Sequence, residues 1–561
     1  MKKNWKGIIY LVIGLFLLGL IFYSSNYVLQ LKEKNSQNLS SLSSSDFWKE
    51  EAIFPERKAI ENFLRYLPEV KKDVKLKDVL AAVTKDVESI EGMEMLKNIL
   101  QGKEDALMPL QDLDRNFSYL QKYNLDFIDN WKRQTQNWLL FFGEQKPQHY
   151  LVAFQDPEIP RPSGGLLGAY AILSFDQGKI DLEGDSIFVL DDLFFNKVVP
   201  PFPLRFISNK WFFHDLNWFF DFPFTGRKII EYYDQLGLEQ KLDGVISINP
   251  GVMKEILSVL GPVEIKKYDL NITADTFESF FQNQITERAR QVVNETPQDS
   301  FSLFIKNLRV QLNSASESQL QQIVSSIQDG LNDKEIQLFF RDDTLEYYFD
   351  SLNGAGKVLA TADDYLAVVI DSLQRSFDYS TEERNISLQS DFTSSDVVNS
   401  LTVSNQGGKD KEEYIQVYLP AGITIKKVQN GFLKKNPEPW SYADLGFTED
   451  IDVKLLERTK IYDDKNNIEI FEESGKTVVA SWVHLALHPF VIQYTIPYKQ
   501  HSPTSWKLQL QKQSGQKVNF SYNVSPLSGQ TIRPTLFPLG KSIPLERDTD
   551  ITLYFIPASN L

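Results

Sequence analysis

Apolar positions recur along this chain with three different periods, and each period predicts a different kind of element. The first stretch, "GIIYLVIGLFLLGLIFY" from Gly7, is apolar on every face, and no charge appears before Lys32. Residues 7–31 are therefore long enough to cross a bilayer as one transmembrane helix. Residues 32–46, with "NSQNLSSLSSSD", form a polar linker. Residues 47–147 return to three- and four-residue steps in "AIENFLRYLPEV", "VLAAVTKDVESIEGMEMLKNIL" and "LDFIDNWKRQTQNWLLFF". That spacing predicts a helical hairpin or small bundle.

Residues 148–275 alternate strand and helix signals. In "DGVISINPGVMKEILSVLGPVEI" a β-branched run precedes Asn249, a good N-cap, and Pro250, suited to a first helical turn. Val252, Met253, Ile256, Leu257 and Leu260 then share a face, and Gly261 and Pro262 stop the helix. The pattern is β-α-β, so an α/β core domain is expected. Residues 276–379 read as a helical extension, through "SQLQQIVSSIQDGL" and "DDTLEYYFDSL", with "KEIQLFF" as a strand between them. Residues 380–561 alternate with period two, as in Trp506, Leu508, Leu510 and in Val518, Phe520, Tyr522, Val524. Short strands broken by Pro, Gly and Asn predict one or two β-sandwich modules. The fold class is thus multidomain α+β: a transmembrane helix, a helical segment, a central α/β domain and a β-sandwich-like C-terminal region.

Charge orients the chain. Lys2, Lys3 and Lys6 make residues 1–6 a basic flank that stays in the cytoplasm, which places the body outside the membrane. Cleavage as a signal peptide after Ser24 or Ser25 would put Phe22 or Tyr23 where a small residue is preferred, so an uncleaved single-pass anchor is expected. A net charge of -16 argues against a nucleic-acid partner. The absence of cysteine excludes disulfides, thiolate metal sites and a cysteine nucleophile.

Three stretches offer chemistry. In "IPRPSGGLLGAYAILSF", Gly164 and Gly165 serve a hairpin turn, or they admit an anion that Arg161 and Ser163 also contact. In "HDLNWFFDFPFTGRK", Asp215, Asn217 and Asp221 are hard oxygen ligands suited to magnesium, with Arg227 nearby; the alternative is a packed aromatic loop. Gly226 at the twelfth position rules out an EF-hand. In "DLEGDSIFVLDDLF", five carboxylates either bind a cation or end strands. His484 and His488 are expected on one face of a strand.

The blocks "RPSGGLLGAYAILSFDQGKI", "DLNWFFDFP" and "LDGVISINPGVMKEILSVLGPVEI" resemble the bacterial membrane-anchored family known as domain of unknown function 4012. That resemblance implies an envelope protein with one N-terminal membrane helix. More distantly, the order of blocks is similar to the LytR–CpsA–Psr family, extracytoplasmic phosphotransferases that move glycans from polyprenyl pyrophosphate to peptidoglycan with arginines and magnesium. The likeness implies that Arg161 occupies a pyrophosphate-contacting position and that Asn217 matches the asparagine of that family's Lys-x-Asn block. It also meets departures: Val189 stands at a second arginine place and Asp215 at a lysine place. Arg205 or Arg227 would substitute only if the fold brings them near. Three functions follow as expectations: an envelope protein that binds or scaffolds a cell-wall or lipid-linked glycan, a magnesium-dependent phosphotransferase, or a structural assembly subunit.

Overall fold

A computed structural model describes residues 94–121, 126–289, 299–373, 383–407, 409–435, 442–498, 504–533 and 537–558, with single positions between 75 and 86 and at 437 and 535. The expected basic flank 1–6, transmembrane helix 7–31 and linker 32–46 lie outside the described residues. Among the described residues no helix is long and apolar enough to cross a membrane.

Five strands build the first sheet: β1 (Gln148–Arg161), β2 (Gly164–Asp176), β3 (Lys179–Ser186), β4 (Gly244–Ile248) and β5 (Ile336–Phe340). Their order is β3–β2–β1–β4–β5, and only β1 and β4 run parallel. The near-continuous apolar run of β1 follows from burial on both faces. Tyr150, Val152 and Phe154 point into a core shared with helices, while Leu151 and Ala153 point into a second, aromatic core. The helices include α1 (Met108–Leu120), α2 (Asp126–Phe141), α3 (Ile187–Leu193), α4 (Phe222–Gln235), α5 (Pro250–Leu260), α6 (Phe277–Ala289), α7 (Ser300–Asn313), α8 (Glu317–Asn332) and α9 (Asp343–Ser351). Trp138 of α2 and Phe349 of α9 meet edge to face, with ring centroids 5.7 Å apart, which ties the helical segment to the helical extension.

Asn249 precedes α5, but its side chain makes no capping bond. Its Nδ2 donates instead to Glu335 Oε2 at 3.1 Å and to Ser514 Oγ at 3.0 Å. The residue suited to capping is used to join the α/β domain to the C-terminal part of the chain.

That part contains two further sheets. The strands that position the site are β6 (Asp364–Asp371), β7 (Glu383–Phe392), β8 (Asp396–Gln406), β9 (Glu413–Leu419), β10 (Lys476–Val483), β11 (Phe490–Pro497), β12 (Ser505–Gln511), β13 (Val518–Ser525) and β14 (Thr549–Pro557). One sheet centres on β11–β8–β7–β13 and the other on β10–β9–β6–β12–β14. Leu366, Val368 and Ile370 of β6 share a buried core with Ile386 and Leu388 of β7, so the two sheets face each other. The opposite face of β6, with Tyr365, Ala367 and Val369, packs on the aromatic core beneath β1. Strand β6 lies inside the stretch expected to be a helical extension, so the two-sheet unit begins before residue 380. Its sequence, "DYLAVVID", lacks period-two alternation because both faces are buried.

The chain is a mixed α/β multidomain protein with several sheets. His484 and His488 do not alternate along one strand. Strand β10 ends at Val483, and the His488 amide donates to the His484 carbonyl at 3.0 Å across a turn.

Candidate functional site

The β1–β2 hairpin pairs Arg161 with Gly164 across Pro162 and Ser163. Gly164 has φ near +151°, a region that side chains disfavour. Gly165 is required for a different reason: a Cβ there would lie 2.0 Å from the Asp156 carbonyl. The main chain of β1, irregular between Asp156 and Pro160, crosses directly over it. The glycine pair is thus explained by a positive φ at Gly164 and by close approach of two backbones at Gly165. The donors around it are also committed. The Gly165 amide donates to Gln155 Oε1 at 3.0 Å, Ser163 Oγ to the Asn217 carbonyl at 3.3 Å, and Asn217 Nδ2 to the Gly165 carbonyl.

Arg161 ends β1 with its side chain only 3% exposed. Its Nε donates to Asp215 Oδ1 at 2.8 Å. Its Nη1 donates to Asp371 Oδ1 at 3.1 Å, to the Ser372 carbonyl at 2.9 Å and to the Pro160 carbonyl at 3.0 Å. Asp215 lies in a 3-10 turn, Phe213–Asp215, and Asp371 ends β6. The guanidinium therefore joins the α/β domain to the two-sheet unit. Gln513 reinforces the junction, donating from Nε2 to the Arg161 carbonyl at 2.9 Å and to the Ile370 carbonyl at 2.8 Å.

The network continues outward. His214 Nε2 is 3.3 Å from Asp215 Oδ2, and His214 Nδ1 is 2.5 Å from Asp191 Oδ2 on α3. Two cations, Arg161 and His214, thus face three carboxylates, Asp191, Asp215 and Asp371. Burial raises the Asp215 carboxyl, but Arg161 and His214 together hold it well below the usual range. Burial lowers His214, but Asp191 and Asp215 overcome it and lift the imidazole to about 10. Burial dominates at Asp371, pushing it up to about 7 even though Arg161 pulls the other way. Asp371 Oδ2 has no hydrogen-bond partner among the described residues, as suits a carboxyl poised to hold a proton.

The other expected cations lie elsewhere. Arg205 Nη2 grips Glu457 at 2.8 and 3.1 Å, and its Nε donates to the Pro200 carbonyl at 2.9 Å. Arg227, half exposed, lies 4.1 Å from the centroid of Phe224, within 3.7 Å of Glu231 and 3.9 Å of Asp452. Glu457 and Asp452 belong to a helix, Ile451–Thr459, that the two-sheet unit lays against this side of the α/β domain.

A magnesium site needs several carboxylate oxygens free to converge. Asp215 gives one oxygen to Arg161 and the other to His214. Asp221 accepts from the Val358 amide and from Ser474 Oγ, both at 3.1 Å. No cluster of three acidic or histidine residues suited to a metal occurs among the described residues. The set Asp215, Asn217, Asp221 does not fit magnesium. Sequence reasoning missed Asp371 as a partner of Arg161, and missed the extension of the network from Asp215 through His214 to Asp191. The available signal was the charge closing an otherwise apolar strand in "LAVVID".

Residues 145–285 match the family model described as Protein of unknown function (DUF4012). No curated protein matches the sequence. Solved structures similar to part of this chain include the transcriptional regulator yvhJ from Bacillus subtilis, at 10% identity and a TM-score of 0.17, covering 37% of this chain and 77% of that one. They also include Lin1025 from Listeria innocua, at 11% identity and a TM-score of 0.18, with coverage of 37% and 77%. B. subtilis TagV matches at 13% identity and a TM-score of 0.18, with coverage of 37% and 78%.

Proposed function

We propose that this chain is a bacterial envelope protein, anchored through residues 7–31 with its body outside the cell, that binds or scaffolds a cell-wall or lipid-linked glycan without transferring it. The observation that supports this reading most is the enclosure of Arg161 by Asp215 and Asp371. Handling a pyrophosphate requires cations whose charge is not already compensated, aimed at where the phosphate oxygens lie. Arg161 is compensated and buried, Arg205 is bound by Glu457, and Arg227 lies at the surface among carboxylates. The same enclosure pins the two-sheet unit to the α/β domain, which suits a scaffold. Co-sedimentation of the full-length, detergent-solubilised protein with purified sacculi tests the reading. The protein is expected in the pellet, with or without a magnesium chelator. Protein left in the supernatant under both conditions would contradict it.

A further inference from the structure

The helical side of the α/β domain carries a groove that the Arg161 network does not use. It lies between α1, α2 and α9, holds about 880 Å³, and is lined mainly by amides and tyrosines. A second hollow of about 680 Å³ continues it past the N-terminal end of α1, and the two share Gln111, Arg115, Glu144 and Gln145. Together they form a trough rather than a closed pocket, a shape that suits a linear polymer better than a small metabolite.

The chemistry of the trough is specific. Asn130, Gln134 and Asn137 fall at i, i+4 and i+7 of α2, a stripe that an ordinary packed helix fills with apolar residues. Gln134 is 4% exposed, yet its Nε2 has no hydrogen-bond partner among the described residues. A buried amide proton without an acceptor is costly, and a ligand that supplies one relieves the cost. In the first hollow Asp114 and Glu144 offset Arg115 and Arg133, and Glu104 and Asp105 of the second leave the trough acidic, so it has no excess cation to select a phosphate or an anionic polymer. At one wall Tyr347 is 78% exposed, leaving a ring face open to stacking. Amides both donate and accept, which matches hydroxyl and acetamido groups.

We infer that this trough binds a linear, uncharged glycan strand, with Tyr347 stacking on a sugar ring and Gln134 donating to a hydroxyl or acetamido oxygen. The inference rests on the glycan-binding reading above and locates it. Two variants test it in the full-length protein, with soluble strands of β-1,4-linked N-acetylglucosamine as the uncharged probe. Tyr347→Ala is expected to weaken binding about tenfold with an unchanged melting temperature, and Tyr347→Trp to restore it. Gln134→Leu is expected to weaken binding while leaving the melting temperature equal or higher, because it removes an unsatisfied buried group; a merely structural glutamine would lose stability instead. Strands free in solution and the same saccharide on polyprenyl pyrophosphate should bind equally. Wild-type protein that binds strands, with both variants equal to it, overturns the location and leaves the reading standing. Wild-type protein that binds neither strands nor sacculi overturns the reading itself. A preference for the lipid-linked form that depends on its pyrophosphate overturns the uncharged-ligand assignment.

Discussion

Arg161 and Asp371 are 210 positions apart in the chain, yet Arg161 Nη1 donates to Asp371 Oδ1 at 3.1 Å in a buried setting. The residue that looks like the centre of an anion cradle is instead a joint between two parts of the molecule. A buried charge group of this kind stabilises little as a whole but is costly to break, because removing one member strands the others in a low-dielectric interior.

The first prediction follows from that asymmetry. Arg161→Met leaves Asp215 and Asp371 buried without their cation, and it should lower unfolding stability by about 3–5 kcal/mol. Urea denaturation of the purified protein measures this. A variant as stable as the wild type would remove the joint from the account.

Stability should also fall as the pH rises from 3.8 toward 7. Asp364 is buried and pushed up to about 7, so the native state holds a proton that the unfolded chain releases near its ordinary value of 3.8. Its contribution is fully present below that value and is lost as the pH rises through 7. Asp364→Asn keeps the shape and the place beside Asn399 without the titration. The denaturation midpoint of the variant should change less between pH 5 and pH 7.5 than that of the wild type. An identical slope in both proteins would contradict the assignment.

His214 supplies a second step, at higher pH. Lifted from 6.5 to about 10 by Asp191 and Asp215 against the opposing effect of burial, its charge stabilises the fold below pH 6.5, and that stability is lost as the pH rises through 10. His214→Gln should be less stable than the wild type at pH 7 and should show a flatter decline from pH 7 to pH 10. Thermal melts across that range report both effects.

Gly165→Ala tests the reading of the hairpin. Its Cβ would meet the Asp156 carbonyl at 2.0 Å, an overlap that only backbone movement relieves. The variant should lose several kcal/mol or fail to fold. Normal stability with altered anion binding would instead favour a cradle.

Much of the central fold is legible in local pattern. The run "GVISINPGVMKEILSVLGPVEI" becomes a strand, a helix and a strand because its apolar periods agree with Pro250 in the first helical turn and Gly261 just past the last. The hairpin at Gly164 and Gly165 is likewise legible, but its reason is the distant crossing at Asp156. Strand β6 is concealed because burial on both faces erases the alternation that marks a strand. The partners of Arg161 are concealed more deeply, since Asp371 reaches it only through the docking of a separate sheet. Arg205 and Arg227 attract attention as spare cations, but carboxylates of the helix Ile451–Thr459, more than 200 positions downstream, occupy them.

Whether the protein holds its glycan without transferring it is decided by a transfer assay on the full-length protein. Magnesium, sacculi and a glycan on polyprenyl pyrophosphate are supplied, and polyprenyl phosphate left after transfer is quantified. None is expected above the protein-free control, while the protein remains bound to the sacculi. Release that requires magnesium and disappears in a folded Arg161→Lys variant would contradict it, and would show that Arg161 leaves its carboxylates to serve a reaction.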